Sequence, residues 1–202
     1  MPTTVKISKE KILDAALSIT RSKGIECVSN RELAKYLNCS IRPIYYQFKN
    51  VEELNIELYK KIEKYFYKYL MDNMNDKMPL YKQVGVNYIK FAKEETNLFK
   101  ILFMSKYDLL PKEFISKDDE DYKELTKIIK ISTNLNEEDI SSFHIKMWLF
   151  AHGIATLVAT NTIKLTDNQI KDLLSKEFQA LMLLEKNPDN KWVLKNSDDW
   201  RK

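Results

Sequence analysis

The chain has 202 residues, 44% of them hydrophobic and 31% charged, with three glycines, five prolines and two cysteines. Ample apolar material argues against a disordered chain, the scarcity of turn formers against an all-β protein, and the lone pair Cys27 and Cys39 against a disulfide framework or secretion. The net charge of +4 hides an asymmetry: residues 1–50 carry nine Lys or Arg against four Asp or Glu, and the remainder 24 against 25.

Helix signals follow in order. Ser8 can cap a first helix near residues 9–23 whose apolar face is Ile12, Leu13, Ala16, Leu17 and Ile19, with Gly24 as its stop. Ser29 and Glu32 have capping-box spacing and open a short helix with Leu33, Ala34 and Leu37 inward. Asn38 tolerates a left-handed conformation and lets the chain turn sharply. Ser40 is placed to cap the next short helix, whose first turn accommodates Pro43. Asn50 and Glu53 cap a long helix with the stripe Val51, Leu54, Leu58, Ile62, Tyr65 and Tyr69. Further helical stretches are expected near 79–93, 95–105, 120–132, 137–162 and 167–185, the first starting at Pro79, the last at a Thr166–Gln169 capping box, with Pro111 in a loop. The fold class is all-α.

Two short helices joined by a tight turn and backed by a third form a helix-turn-helix. With Ile44 and Phe48 inward, Ile41, Arg42, Pro43, Tyr45 and Tyr46 face solvent at the start of the second short helix, the end that enters a major groove in this motif. Arg42 can reach guanine O6 and N7, Ile41 and Pro43 thymine methyls, and the tyrosine hydroxyls phosphate oxygens. Three of the four arginines, Arg21, Arg31 and Arg42, fall in the basic first quarter. Planar bidentate donors suit phosphate and guanine there, though chance placement of solvated residues reads equally well. The candidate DNA contacts are Ser29, Arg31, Ser40, Ile41, Arg42, Pro43, Tyr45, Tyr46, Gln47 and Lys49.

The stretch "SNRELAKYLNCSIRPIYYQFKNVEEL", residues 29–54, resembles the TetR family of bacterial one-component transcription regulators, with Ser29, Leu33, Ala34, Ser40, Ile44, Tyr45, Phe48 and Leu54 on the family's pattern. A weaker similarity covers "WLFAHGIATLVATNTIKLTDNQIKDLL", which looks like the Trp and His-Gly signature of one subgroup. Gln47 stands where histidine is frequent and Val51 where a backbone-contacting lysine is usual; Lys49, Lys6 or Lys9 can compensate. The resemblance implies nine or ten helices: a DNA-binding domain at 1–50 and a ligand-binding and dimerisation domain at 51–185. It implies a homodimer on a palindromic double-stranded DNA operator, acting by default as a repressor. The tail at 186–202 is polar enough for a disordered segment, while Trp192 and Trp200 point to docking on the body.

The aromatic-rich segment 97–114 is the expected wall of a cavity, although core packing explains Phe99 and Phe103 as well. Candidate lining residues are Tyr65, Tyr69, Met71, Met74, Tyr88, Phe91, Phe99, Phe103, Met104 and Trp148, rich in thioether and aromatic surface, which suits a small hydrophobic or aromatic effector. Ala151, Ala155 and Ala159 recur every four residues around Gly153 and would let another helix approach closely; with His152, Leu174, Phe178 and Leu181 they form the expected dimer interface. His144 and His152, eight apart with no cysteine nearby, do not have metal-site spacing, and no cofactor is expected. No Gly-rich phosphate loop or nucleophile motif supports an enzyme. The remaining alternative is a DNA-binding regulator controlled by a protein partner without a small ligand. The run 147–163 falls short of the roughly 20 apolar residues of a membrane span, and no apolar leader is seen, so a cytoplasmic protein is expected.

Overall fold

The computed structural model describes residues 7–72, 74, 77–105 and 120–185; these form helices joined by short loops, with no strand among them. The helices are α1 (Lys9–Lys23), α2 (Asn30–Tyr36), α3 (Arg42–Gln47), α4 (Val51–Met71), α5 (Leu80–Glu94), α6 (Thr96–Met104), α7 (Glu120–Thr133), α8 (Glu137–Ala159) and α9 (Asp167–Glu185), with one 3-10 turn at Ile25–Cys27. Lys6, Pro111, the 106–114 part of the aromatic segment and the tail with Trp192 and Trp200 lie outside the described residues. Among the described residues no helix is long and apolar enough to cross a membrane.

The chain divides into two compact units. One holds the described residues of Met1–Lys68 and Glu95–Asp108, the other those of Tyr69–Glu94 and Leu109–Lys202. This division differs from the 1–50 and 51–185 one suggested by the sequence. Most of α4, and all of α6, pack with α1 to α3, because Phe66 on α4 meets Phe103 on α6 edge-on at 5.4 Å and α6 lies against α1.

The first unit is built around Ile12, Ala16, Leu33, Leu58 and Ile62, all fully buried. Each buried aliphatic or aromatic side chain contributes about 1.5 to 3 kcal/mol. Surface ion pairs such as Lys61 with Glu10 (2.9 Å) and Asp14 (2.8 Å) contribute about 0 to 1 kcal/mol, so the apolar core decides the fold. Local caps set the boundaries. The Lys11 N–H donates to Ser8 Oγ (3.3 Å), the Glu32 N–H to Ser29 Oγ (3.3 Å) and the Glu53 N–H to Asn50 Oδ1 (2.8 Å). Glu53 reaches back to the Lys49 N–H rather than to that of Asn50. Gly24 ends α1 at φ 93°, ψ 162°, a region that only glycine adopts readily. Gly24→Ala should therefore destabilise the protein by about 1 to 3 kcal/mol, read as a lower urea midpoint at unchanged slope.

One cap departs from expectation. Ser40 does not close α3; the flanking residue is Ile41, with no side-chain cap, and its carbonyl takes the N–H groups of Ile44 (3.1 Å) and Tyr45 (3.3 Å). Pro43 in the first turn leaves one fewer orphan donor, which makes a side-chain cap less necessary.

In the second unit α5 packs on α8 and α9, and α7 on α5 and α8. Gly85 lets α5 and α9 approach: a Cβ there would lie 3.2 Å from Leu174 Cδ1. α8 stops at Ala159, short of the expected 162, because Asn161 takes φ 56° and the Thr162 N–H turns back to the Leu157 carbonyl (2.9 Å). The Thr166–Gln169 box forms in both directions, at 2.9 and 3.3 Å.

Candidate nucleic-acid interface and ligand cavity

The turn between α2 and α3 is held by its backbone. Asn38 sits at φ 50°, and the Cys39 N–H reaches the Ala34 carbonyl at 2.9 Å. Leu33, Ala34, Ile44 and Phe48 are buried and clamp the two short helices onto the first unit. With Ile44 inward, Arg42, Tyr45 and Tyr46 fall at intervals of three and four along one exposed face of α3, and Lys49, just past its end, is exposed as well. Tyr45 is 60% exposed and Tyr46 84%, which is unusual for side chains of that size and leaves both rings available to a partner. Ser40 and Arg31 are also exposed, while Ile41 and Pro43 are half-buried.

Four residues singled out in the basic quarter have other work. Arg21 Nε donates to Glu95 Oε2 (2.8 Å), and its guanidinium stacks over the Tyr65 ring at 4.6 Å. The Tyr65 hydroxyl donates to the other Glu95 oxygen (3.0 Å). Burial works against the Arg21 charge, but Glu95 more than offsets it and raises the guanidinium pKa. Arg21 is thus a tether joining α1, α4 and α6. Gln47 spends its amide on the Ile7 carbonyl (3.1 Å), and Lys9 pairs with Glu57 (3.5 Å). Ser29 Oγ is occupied as the α2 cap. Tyr36, 58% exposed at the end of α2, joins the exposed aromatic set and was missed in the sequence, where it reads as one more residue of an amphipathic helix.

A cavity of about 350 Å³ lies within the second unit. α5 lines it with Tyr81, Lys82, Val84, Gly85 and Tyr88; α8 with His144, Met147, Trp148 and Ala151; α9 with Leu174, Ser175, Phe178 and Gln179. Tyr88 and Trp148 are the members of the expected lining set found there. Phe91 and Phe99 are fully buried, Phe103 stacks on Phe99 (4.9 Å), and Tyr65 serves the Arg21 tether. Tyr69 bonds Glu94 and meets Phe91 edge-on at 5.3 Å. Met71 and Met74 are half-buried and Met104 is exposed, none of them on this cavity. These aromatic residues do core packing in both units, a role that composition does not separate from cavity lining.

Two tyrosine–histidine pairs bridge α5 and α8. The Tyr81 hydroxyl lies 2.9 Å from His144 Nδ1, and that of Tyr88 2.8 Å from His152 Nδ1. Desolvation lowers both imidazole pKa values, that of His144 to about 4, and raises both tyrosines far above their usual range. Near neutral pH all four rings are uncharged. The seven-residue spacing of the tyrosines and eight-residue spacing of the histidines were the available sequence signal.

Of the expected dimer set, Ala151, Ala155, Ala159, Leu174 and Leu181 are all buried within the single chain, where they serve its own packing. Phe178 lines the cavity, as Ala151 and Leu174 do, and His152 is bonded to Tyr88. The small residues Ala151, Ala155 and Ala159 mark where α8 meets its own neighbours. The opposite stripe, Leu149, Gly153 and Leu157 on α8 with Ala180, Leu183 and Leu184 on α9, is exposed.

No family profile and no curated protein matches the sequence. Solved structures do match. A TetR-like transcriptional regulator from a Rhodococcus species aligns with TM-score 0.62 and 16% identity over 91% of this chain and 98% of its own. A TetR-family protein from Vibrio parahaemolyticus aligns with TM-score 0.60 and 18% identity over 85% and 97%. A TetR-family regulator from Haemophilus influenzae aligns with TM-score 0.59 and 20% identity over 85% and 94%. The chain has the TetR fold: an N-terminal helix-turn-helix domain followed by a larger helical domain.

Proposed function

We propose that the chain is a DNA-binding transcriptional regulator of TetR type, a homodimer that reads a palindromic double-stranded operator with α3 and is released from it by a small apolar or aromatic effector held in the cavity. The observation that carries the first half is the exposed face of Arg42, Tyr45 and Tyr46 on a helix fixed by a buried Ile44, with exposed Lys49 just beyond its end. Arg42, Tyr45 and Tyr46 are all exposed, and a guanine edge and phosphate oxygens would use all three.

The cavity, largely apolar with a few polar groups, favours an effector over control by a protein partner alone. By linkage, an effector that weakens operator binding must itself bind the operator complex more weakly by the same factor. The second copy is assigned to the outward stripe of α8 and α9, where Leu183 at 69% exposure would otherwise lie in water beside Leu184 and Leu157. Repression is the family's usual mode and is taken as the default, with a regulator rather than an enzyme as the reading the fold supports.

The test is a mobility shift of the purified protein on the promoter of its own gene. Arg42→Ala should cost about 1 to 3 kcal/mol on the bound site and relax the preference at one base pair per half-site. Equal loss on every sequence would reduce Arg42 to a phosphate contact, and no shift on any DNA would remove the regulator reading.

A further inference from the structure

We infer that the cavity takes an uncharged, mainly apolar ligand with one acceptor oxygen of carbonyl type, which accepts a hydrogen bond from Nε2–H of His144. The inference rests on reading the cavity as an effector site and names the chemistry of its occupant.

The argument starts from a difference between the two tyrosine–histidine pairs. One turn beyond His152 stands Thr156, whose Oγ1 lies 3.5 Å from His152 Nε2. One turn beyond His144 stands Trp148, an indole with no acceptor to offer Nε2. Among the described residues His144 Nε2 is buried without a hydrogen-bond partner, and His144 lines the cavity. A buried unsatisfied polar group of this kind costs about 1 to 3 kcal/mol, so a ligand that satisfies it gains affinity that a hydrocarbon does not.

Which hydrogen-bonding role Nε2 plays follows from counting orphans. If His144 Nδ1–H donated to Tyr81, the buried phenolic proton and the Nε2 lone pair would both lack partners. If Tyr81 donates to Nδ1, its proton is satisfied and only the Nε2–H is left. The second arrangement has one orphan instead of two, so the tautomer is Nε2–H and the missing partner is an acceptor. A cationic imidazole that would hold a carboxylate is disfavoured by the same desolvation that lowers the His144 pKa. An alcohol can accept the bond but brings a proton of its own that needs a second acceptor. A ketone, ester or amide carbonyl brings only the acceptor required. The cation on the wall, Lys82, is the one feature that could instead favour an anion.

Calorimetric titration of the full chain with benzophenone, the diphenylethylene in which a CH2 group replaces its carbonyl oxygen, and diphenylacetate distinguishes these cases. Benzophenone should bind about tenfold more tightly than its alkene isostere. In the double variant Tyr81→Phe, His144→Phe, which removes both polar partners together, the two should bind alike, with alkene affinity retained. A circular-dichroism melt of that variant confirms folding; if it is unfolded, Tyr81→Phe alone, which releases the tautomer, should narrow the preference. Equal affinity of ketone and alkene in the parent protein overturns the inference, as does a preference for diphenylacetate or a ketone preference that survives loss of His144. Failure of every probe to bind overturns it together with the cavity reading. If the ketone pattern holds but benzophenone leaves operator affinity unchanged, the inference stands and the effector mechanism falls.

Discussion

Gly153→Leu is expected to leave the protomer folded and turn the proposed dimer into a monomer. Among the described residues a Cβ at Gly153 meets nothing within 4 Å, so the larger side chain meets none of them. Inside a helix, replacing glycine by leucine also gains up to about 1 kcal/mol of helix propensity. Any loss must then come from a second copy packed over that position. Overpacking a closely fitted contact costs about 1 to 3 kcal/mol, and a two-fold interface meets the change twice. Sedimentation velocity over a dilution series reads the shift, and a thermal melt shows the protomer intact. Operator affinity should fall with it, because a lone protomer engages one half-site instead of two. An unchanged dimer would place the interface away from the Leu149, Gly153 and Leu157 stripe. Ala155→Glu makes the contrast: Ala155 is fully buried in the protomer, so that charge would unfold the chain rather than separate two chains.

The second large effect is a loss of stability in mild acid that depends on His144. Its pKa is held down to about 4 in the folded chain by desolvation, against about 6.5 when unfolded. Between those values the unfolded state binds a proton that the folded state does not, so stability is highest above pH 6.5 and falls as the pH drops toward 4. Below the folded pKa both states are protonated and the loss levels off. The span corresponds to on the order of 3 kcal/mol, an upper figure if the cavity admits water to the ring. Urea titrations at pH 7 and at pH 4 should show the parent protein losing about that much more than His144→Phe. The same pH dependence in both would mean that carboxylates, and not this imidazole, drive acid unfolding.

Element boundaries were legible because they rest on local chemistry. Ser8, Gly24, Asn38, Asn50 and the Thr166–Gln169 box act through hydrogen bonds and dihedral freedom within a few residues, and each is found where its residue type placed it. The inward face of the helix-turn-helix was equally readable: with Ile44 and Phe48 buried, helical geometry leaves Arg42, Tyr45 and Tyr46 outside. Ser40 is the exception, since Pro43 removed the donor that a cap would have served.

What the sequence by itself determined about this protein is therefore the order of its helices, the short helix α3 and the side chains that helix exposes. Only the tertiary structure decided which faces of α5, α8 and α9 meet one another. Phe178, Leu174 and Ala151 fit a cavity wall, a core or an interface equally well by residue type; Gly85 brings α5 onto Leu174, and that contact sends one face inward and leaves Leu149, Gly153 and Leu157 outside. Arg21 shows the same limit. Its charge invited a phosphate, but Glu95, 74 residues further along, lies 2.8 Å away and claims it. Partners that distant are joined by packing of several helices at once, and no periodicity within one helix encodes them.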